Sequence, residues 1–350
     1  MNKNNNKGEI MNKWKKLGAS ALAGSLVAVS AQAVEVTVTG SAQATYVSNS
    51  GDGNTADMTT HGKGYSVDSS IDFNASGELE NGWSVSSFNG LGEDGTITSQ
   101  QFTVGMGSMG TMRISNIFGT AANGIDDVVT GLVYEEAWDG SGHGAQGHGF
   151  GSATTKGALT YTSPALDLMG VSLTAAYDYD PAATVGDSTH GAPAIKAAGI
   201  GSGEAIVITG SMGGLSFGGG NETVKSTISG TADRESNTGY LKYAMGPVTL
   251  GYQEYEYSGS EAADTASYSG DAMGVAFAVN DQLSVGYSEI EDTQNAVSNS
   301  TATTADIETL TIAYTMGGMT MTINQTDTSN ADFVTNADHE ETEIGISFAF

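Results

Sequence analysis

The chain has 350 residues, with 12 Lys and Arg against 40 Asp and Glu, a formal net charge of −28. Such a charge repels nucleic acid and anionic surfaces and attracts cations. With no Cys, small disulfide scaffolds are excluded, and 49 Gly against 4 Pro suits strands joined by tight turns better than collagen or a disordered linker.

The first residues read as an export leader. Lys13, Lys15 and Lys16 precede an apolar, small-residue run from Leu17 to Ala28, and Ala31-Gln32-Ala33 supplies a small-x-small cleavage pattern. The run is too short to span a bilayer. A signal peptide over 1–33 is therefore expected, with Met11 the true start and a mature domain over 34–350. Cleavage removes five Lys and Glu9, leaving 7 basic and 39 acidic residues, a net charge of −32. No later apolar run is long enough for a transmembrane helix, which leaves a periplasmic protein, a secreted one or a β-barrel.

The mature chain alternates with period two, the signature of strands with unlike faces. Segment 35–48 sets Val36, Val38, Ala42, Ala44 and Tyr46 against Thr37, Thr39, Ser41, Gln43 and Thr45. Segment 65–79 sets Val67, Ile71 and Phe73 against Asp68, Asp72 and Asn74, and Asn81-Gly82 reads as a two-residue hairpin turn. Segments 98–106 and 111–116 form the next pair. Phe102, Val104, Met112 and Ile114 share one face; Gln101, Thr103 and Arg113 share the other. After the irregular stretch 117–156, five further hairpins follow with Gly-rich or short polar turns, and the alternating segment 343–350 ends on Phe350. The count is about sixteen strands, an even number as closed bacterial barrels require. Long acidic connections (49–64, 117–156, 181–203, 226–236, 259–266, 292–305 and 328–340) alternate with short ones, giving the barrel a long-loop rim and a short-turn rim. The expected fold is all-β, a transmembrane antiparallel β-barrel with short periplasmic turns and long extracellular loops. Trp83 and the tyrosines Tyr46, Tyr65, Tyr161, Tyr177, Tyr179, Tyr255 and Tyr257 suit aromatic girdles at the membrane interfaces.

Several segments resemble the general porin family of Gram-negative outer membranes. Val104-Gly105-Met106-Gly107-Ser108-Met109-Gly110-Thr111-Met112-Arg113 is similar to its fourth-to-fifth strand hairpin. Leu159-Thr160-Tyr161-Thr162-Ser163-Pro164, followed by Gly170-Val171-Ser172-Leu173, is similar to the Tyr-x-Ser-Pro hairpin after the third loop. The aromatic carboxy-terminal strand completes the set. This resemblance implies a trimer of water-filled barrels in outer-membrane lipid and lipopolysaccharide, whose last strand is read by the barrel-insertion machinery. It also implies a third loop, here 117–156, folded inward to narrow the lumen. That loop carries Asp126, Asp127, Glu135, Glu136 and Asp139. The family sets such carboxylates against basic wall residues, for which Arg113 and Lys242 have the right parity. The family's basic cluster is otherwise missing, so an acid-dominated, cation-preferring constriction is expected.

Other motifs carry less. Gly105-Met106-Gly107-Ser108-Met109-Gly110 fits a dinucleotide fingerprint, but strand-like residues follow it where a helix is required. His61, His143, His148, His190 and His339 fall in predicted loops; His143 and His148 share the third, with Gly-rich flanks that argue against a preformed metal site. Asp52, Asn54 and Asp57, or Asp178 with Asp180, offer at most weak Ca²⁺ or Mg²⁺ binding, since no full cage is visible. No local catalytic signature appears, so no enzyme and no cofactor are expected. The reading is passive diffusion of small hydrophilic solutes. A substrate-specific outer-membrane channel, or an acidic exported adhesin or Ca²⁺-binding surface protein without a channel, are the alternatives.

Overall fold

The alternation of the sequence becomes sixteen long antiparallel strands that curl into one closed sheet. The computed structural model describes residues 24–25, 34–51, 62–116, 119–129, 132, 139–143, 150, 156–181, 183–185, 193–195, 200–258, 267–295 and 301–350. The strands are β1 (Glu35–Gly51), β2 (Gly62–Glu78), β3 (Ser84–Leu91), β4 (Ile97–Gly105), β5 (Thr111–Asn116), β6 (Lys156–Thr162), β7 (Val171–Asp180) and β8 (Ile200–Met212). They continue with β9 (Leu215–Ser226), β10 (Arg234–Met245), β11 (Val248–Ser258), β12 (Tyr268–Ala278), β13 (Leu283–Gln294), β14 (Thr303–Met316), β15 (Met319–Ser329) and β16 (His339–Ala349). Each pairs with its neighbours in sequence. β16 returns to β1 in register from Ser41–Ala349 to Gly51–His339, which closes the barrel and leaves no open edge. Gly24 and Ser25 pair with Val38 and Thr37; the rest of the expected signal peptide lies outside the described residues.

Period two decides what each face meets. On β14, Leu310 and Ile312 point outward and are 52% and 39% exposed, while Thr309 and Thr311 point inward and are buried. The same inversion holds on β15, where Met321 and Ile323 face out and Thr322 and Asn324 face in. Apolar residues outside and polar ones inside reverse a soluble fold, as a barrel in hydrocarbon demands. Tyr255 and Tyr257 depart from the expected girdle. They share the inner parity of Gln253; Tyr255 is 5% exposed, and the Tyr257 ring lies 5.6 Å from the Arg234 guanidinium.

The short-turn rim is built by local backbone geometry. The two-residue turns before β9 and β15 begin at Gly213 and Gly317, with φ of 59° and 63°, where a side chain would be strained. The turn after β2 differs from its expected form. Leu79 N–H donates to the Trp83 carbonyl at 2.6 Å, enclosing Glu80, Asn81 and Gly82, so it is a three-residue turn with Gly82 at φ 79°. The Gly105 to Gly110 stretch is likewise a hairpin, with a single 3-10 turn over Gly107–Met109. The opposite rim carries the longer connections. Its exception is 92–96, between β3 and β4, closed by Gly92 N–H on the Thr96 carbonyl.

Above the apolar belt the outer face turns acidic. Glu254, Asp271, Glu291 and Asp306 stand directly opposite one another on β11 to β14. Glu289, Glu308, Asp327 and Glu340 do the same on β13 to β16. Neither row contains a cation.

Candidate functional site

The inner wall is not empty space. The described residues of the connection between β5 and β6, hereafter loop three, pack against it. Ala122, Ile125 and Phe150 cluster with Ala176, Ala205 and Val207 on β7 and β8. Val129 clusters with Tyr255, Ala272, Ile290 and Ile307 on β11 to β14. The loop is therefore folded into the barrel, and its apolar side chains bury against the few apolar patches of a mostly polar wall.

Three polar anchors hold it. The first is Asp178 on β7, fully buried, whose carboxylate accepts from Ala121 N–H at 3.1 Å and Ala122 N–H at 2.8 Å. It also accepts from the Thr160 hydroxyl. Those amides open the 3-10 turn Ala122–Gly124 and have no partner within it, so the carboxylate caps them. The second is Gln253 on β11. Its Nε2 donates to the carbonyls of Ile125 and Asp126 at 2.9 Å each, and its Oε1 accepts from Val129 N–H at 3.1 Å.

The third anchor lies across the lumen. Asp332 N–H donates to His143 Nδ1 at 2.8 Å, so the ring proton sits on Nε2 and is donated to Asp292 at 3.1 Å. The side chains of His143 and Asp292 are fully buried, and Phe333 meets the imidazole edge-on with centroids 4.7 Å apart. Gly142 has φ 63°, and a Cβ there would stand 2.8 Å from the His339 ring. His143, a loop residue with Gly-rich flanks in the sequence, is a fastened point. His339, also read as a loop residue, opens β16 and is buried.

The sequence-derived site residues fare unequally. Arg113 faces inward on β5, as its parity predicts, and its Nη1 donates to the Gly119 carbonyl at 2.6 Å, where loop three begins. Lys242 shares the inner parity of Tyr240 on β10 and is half-buried. Asp126 is half-buried and Asp127 is 5% exposed. Asp139 begins the 3-10 turn Asp139–Ser141; its side chain, like Glu135 and Glu136, lies outside the described residues. Asp178, considered for Ca²⁺, serves loop three instead. Gln253 was not singled out at all. Its parity marks it as inward-facing, but nothing in sequence ties it to Val129, 124 residues away. Among the described residues no group of three or more His, Asp or Glu is placed to hold a metal.

Arg234 is buried over Tyr257, with Nη2 3.9 Å from the Glu222 carboxylate. At the rim, Asp233 accepts from Lys225 Nζ and Ser226 N–H at 2.9 Å each, and the ammonium, more than the amide, holds its carboxyl below the usual range.

A family model described as Gram-negative porin matches residues 18–330. Among solved structures, the anion-selective porin from Comamonas acidovorans is similar at 15% identity and TM-score 0.63, covering 91% of this chain and 100% of that one. OmpF of Salmonella typhi, in complex with daunomycin, is 11% identical with TM-score 0.67, covering 91% and 98%. OmpT of Vibrio cholerae is 12% identical with TM-score 0.61, covering 93% and 100%. No curated protein matches the chain. At these identities the structures speak for the fold, and the family model speaks for the kind of protein, a channel. The protein is an outer-membrane channel for small solutes, and the chain belongs to the Gram-negative porin family.

Proposed function

We propose that the barrel passes small hydrophilic solutes down their gradients, with preference for cations, and that loop three sets both size and charge limits. The observation that supports the charge preference is the inner face itself. It presents Asp68, Asp72, Asp180, Glu341 and Glu343 among its carboxylates, against Arg113, Arg234 and Lys242. Arg234 lies beside Glu222, and Arg113 is committed to a backbone carbonyl. An acid-rich lumen concentrates cations and raises the barrier to anions. Asp126, Asp127, Glu135, Glu136 and Asp139 are assigned to the loop side of the constriction, Arg113 and Lys242 to the wall side. The Comamonas protein, of similar fold, is an anion-selective porin, so the sign rests on side chains.

The remaining assignments belong to the same proposal. Residues 1–33 are removed on export, β16 is the segment read by the insertion machinery, and three barrels associate in a membrane of lipid and lipopolysaccharide. Ca²⁺ or Mg²⁺ screens the acidic loops without serving as a cofactor.

Single-channel recording across a salt gradient tests the reading. Stepwise conductance with a cation-selective reversal potential is expected, moving toward zero in D126N/D127N. An anion-selective potential would overturn the electrostatic assignment, and silence from inserted barrels would overturn diffusion altogether.

A further inference from the structure

Inward-facing residues of β11 meet loop three at successive heights: Gly251, Gln253 and Tyr255. A Cβ on Gly251 would stand 3.0 and 3.1 Å from the two methyls of Val129 and 3.5 Å from Leu132. Gly274, opposite it on β12, is as close, with the Val129 carbonyl 3.2 Å and Leu132 3.3 Å from such an atom. The loop thus rests in a notch two glycines wide. Above the notch, Gln253 is 1% exposed and bonds three backbone groups of the loop. Thr238 Oγ1 lies 2.9 Å from the same Nε2 on the wall side and shares its two protons with the carbonyls. Above that, Tyr255 packs on Val129.

We infer that Gly251, Gln253 and Tyr255 form a seat that sets how far loop three stands from the wall, and thereby the width of the channel. The inference rests on loop three being the constriction. Glutamine suits the middle position because two carbonyls there need a donor and one N–H needs an acceptor. A carboxylate would accept from Val129 but face two carbonyls; leucine would do neither. Glycine suits the lower position because any side chain would fill the space that Val129 occupies and push the loop toward the lumen.

The two positions therefore act in opposite directions. In full-length barrels, Q253L is expected to loosen the loop, raising single-channel conductance and admitting larger sugars. Q253E, nearly isosteric, is expected to do the same. G251V is expected to lower conductance. G251A, a smaller intrusion, is expected to move it the same way and keeps the test open should G251V not fold. Hydrogen exchange at the Val129 amide reads the seat without conduction. Loss of one hydrogen bond speeds exchange on the order of tenfold, and that is the expected change in Q253L. A purely structural role would lower heat stability in every variant without opposite conductance shifts. Unchanged Val129 exchange in Q253L, or conductance moving the same way in Q253L and G251V, overturns the seat. A wild-type barrel that conducts nothing while Val129 still responds would remove the channel reading and reduce the seat to packing alone.

Discussion

Removal of residues 339–350 is expected to abolish the heat-resistant barrel entirely. β16 pairs along its whole length with β1 on one side and β15 on the other, and Phe350 exchanges both backbone hydrogen bonds with Gly40 at 2.8 and 3.0 Å. Without β16, β1 and β15 become open edges in hydrocarbon, where each unsatisfied N–H or C=O costs several kcal/mol. Refolding in detergent followed by electrophoresis with and without boiling checks it. The full chain should migrate as a compact species until boiled, and the truncated chain should not. A heat-modifiable band from the truncated chain would mean that β1 and β15 can seal against each other. Phe350→Ala is a milder test. The backbone exchange with Gly40 survives while the ring that covers Gly40 and stacks on Phe348 is lost, so a closed barrel with a lower unfolding temperature is expected.

The second large effect concerns an arginine placed on the outer face at two heights of the same strand. Ile312 lies between Val285 and Ile323 across the ladder, with Leu310 above and Tyr314 below on β14. Ile312→Arg buries a guanidinium in the apolar belt and is expected to destabilise the barrel by roughly 2–4 kcal/mol. Glu308 lies on the same outward face, two side chains higher, opposite Glu289 and Asp327. Glu308→Arg turns two repulsive contacts into attractive ones, each worth about 0.2–1 kcal/mol across strands. It should raise stability, and salt should erase the gain. Denaturant unfolding in lipid vesicles at low and high ionic strength separates the two. Equal destabilisation by both substitutions would show that the acidic rows sit inside hydrocarbon.

Much of this architecture was legible in sequence because a strand in a membrane barrel repeats every two residues and cannot slip without exchanging its faces. Counting alone gives Arg113 and Lys242 their inward parity and sets Val67, Ile71 and Phe73, which face out, against Asp68 and Asp72. Parity judged well for Tyr177 and Tyr179, which face out. Tyr255 and Tyr257 of β11 suit the girdle by residue type alone, yet they share the inward parity of Gln253. Loop three resisted reading for a different reason. It has no period, so nothing in 117–156 says which residues touch the wall. The anchors are polar groups that meet only in three dimensions: Asp178 with Ala122, Gln253 with Val129, His143 with Asp292. Inward parity identifies the wall member of each pair; the loop member needs the fold.

Apart from Arg113 on β5, which holds only the start of loop three, its three anchors lie on β7, β11, β13 and the connection between β15 and β16, all later in the chain than the loop. Every hairpin of the barrel joins neighbours in sequence, whereas the seam between β1 and β16 joins the two ends of the domain. Such a contact has the greatest loop entropy to overcome and forms late. Loop three is thus a passenger of assembly. Its berth exists only after the later strands have formed, and the loop has to lie on the concave side of the growing sheet before the seam shuts, so that the barrel closes around it.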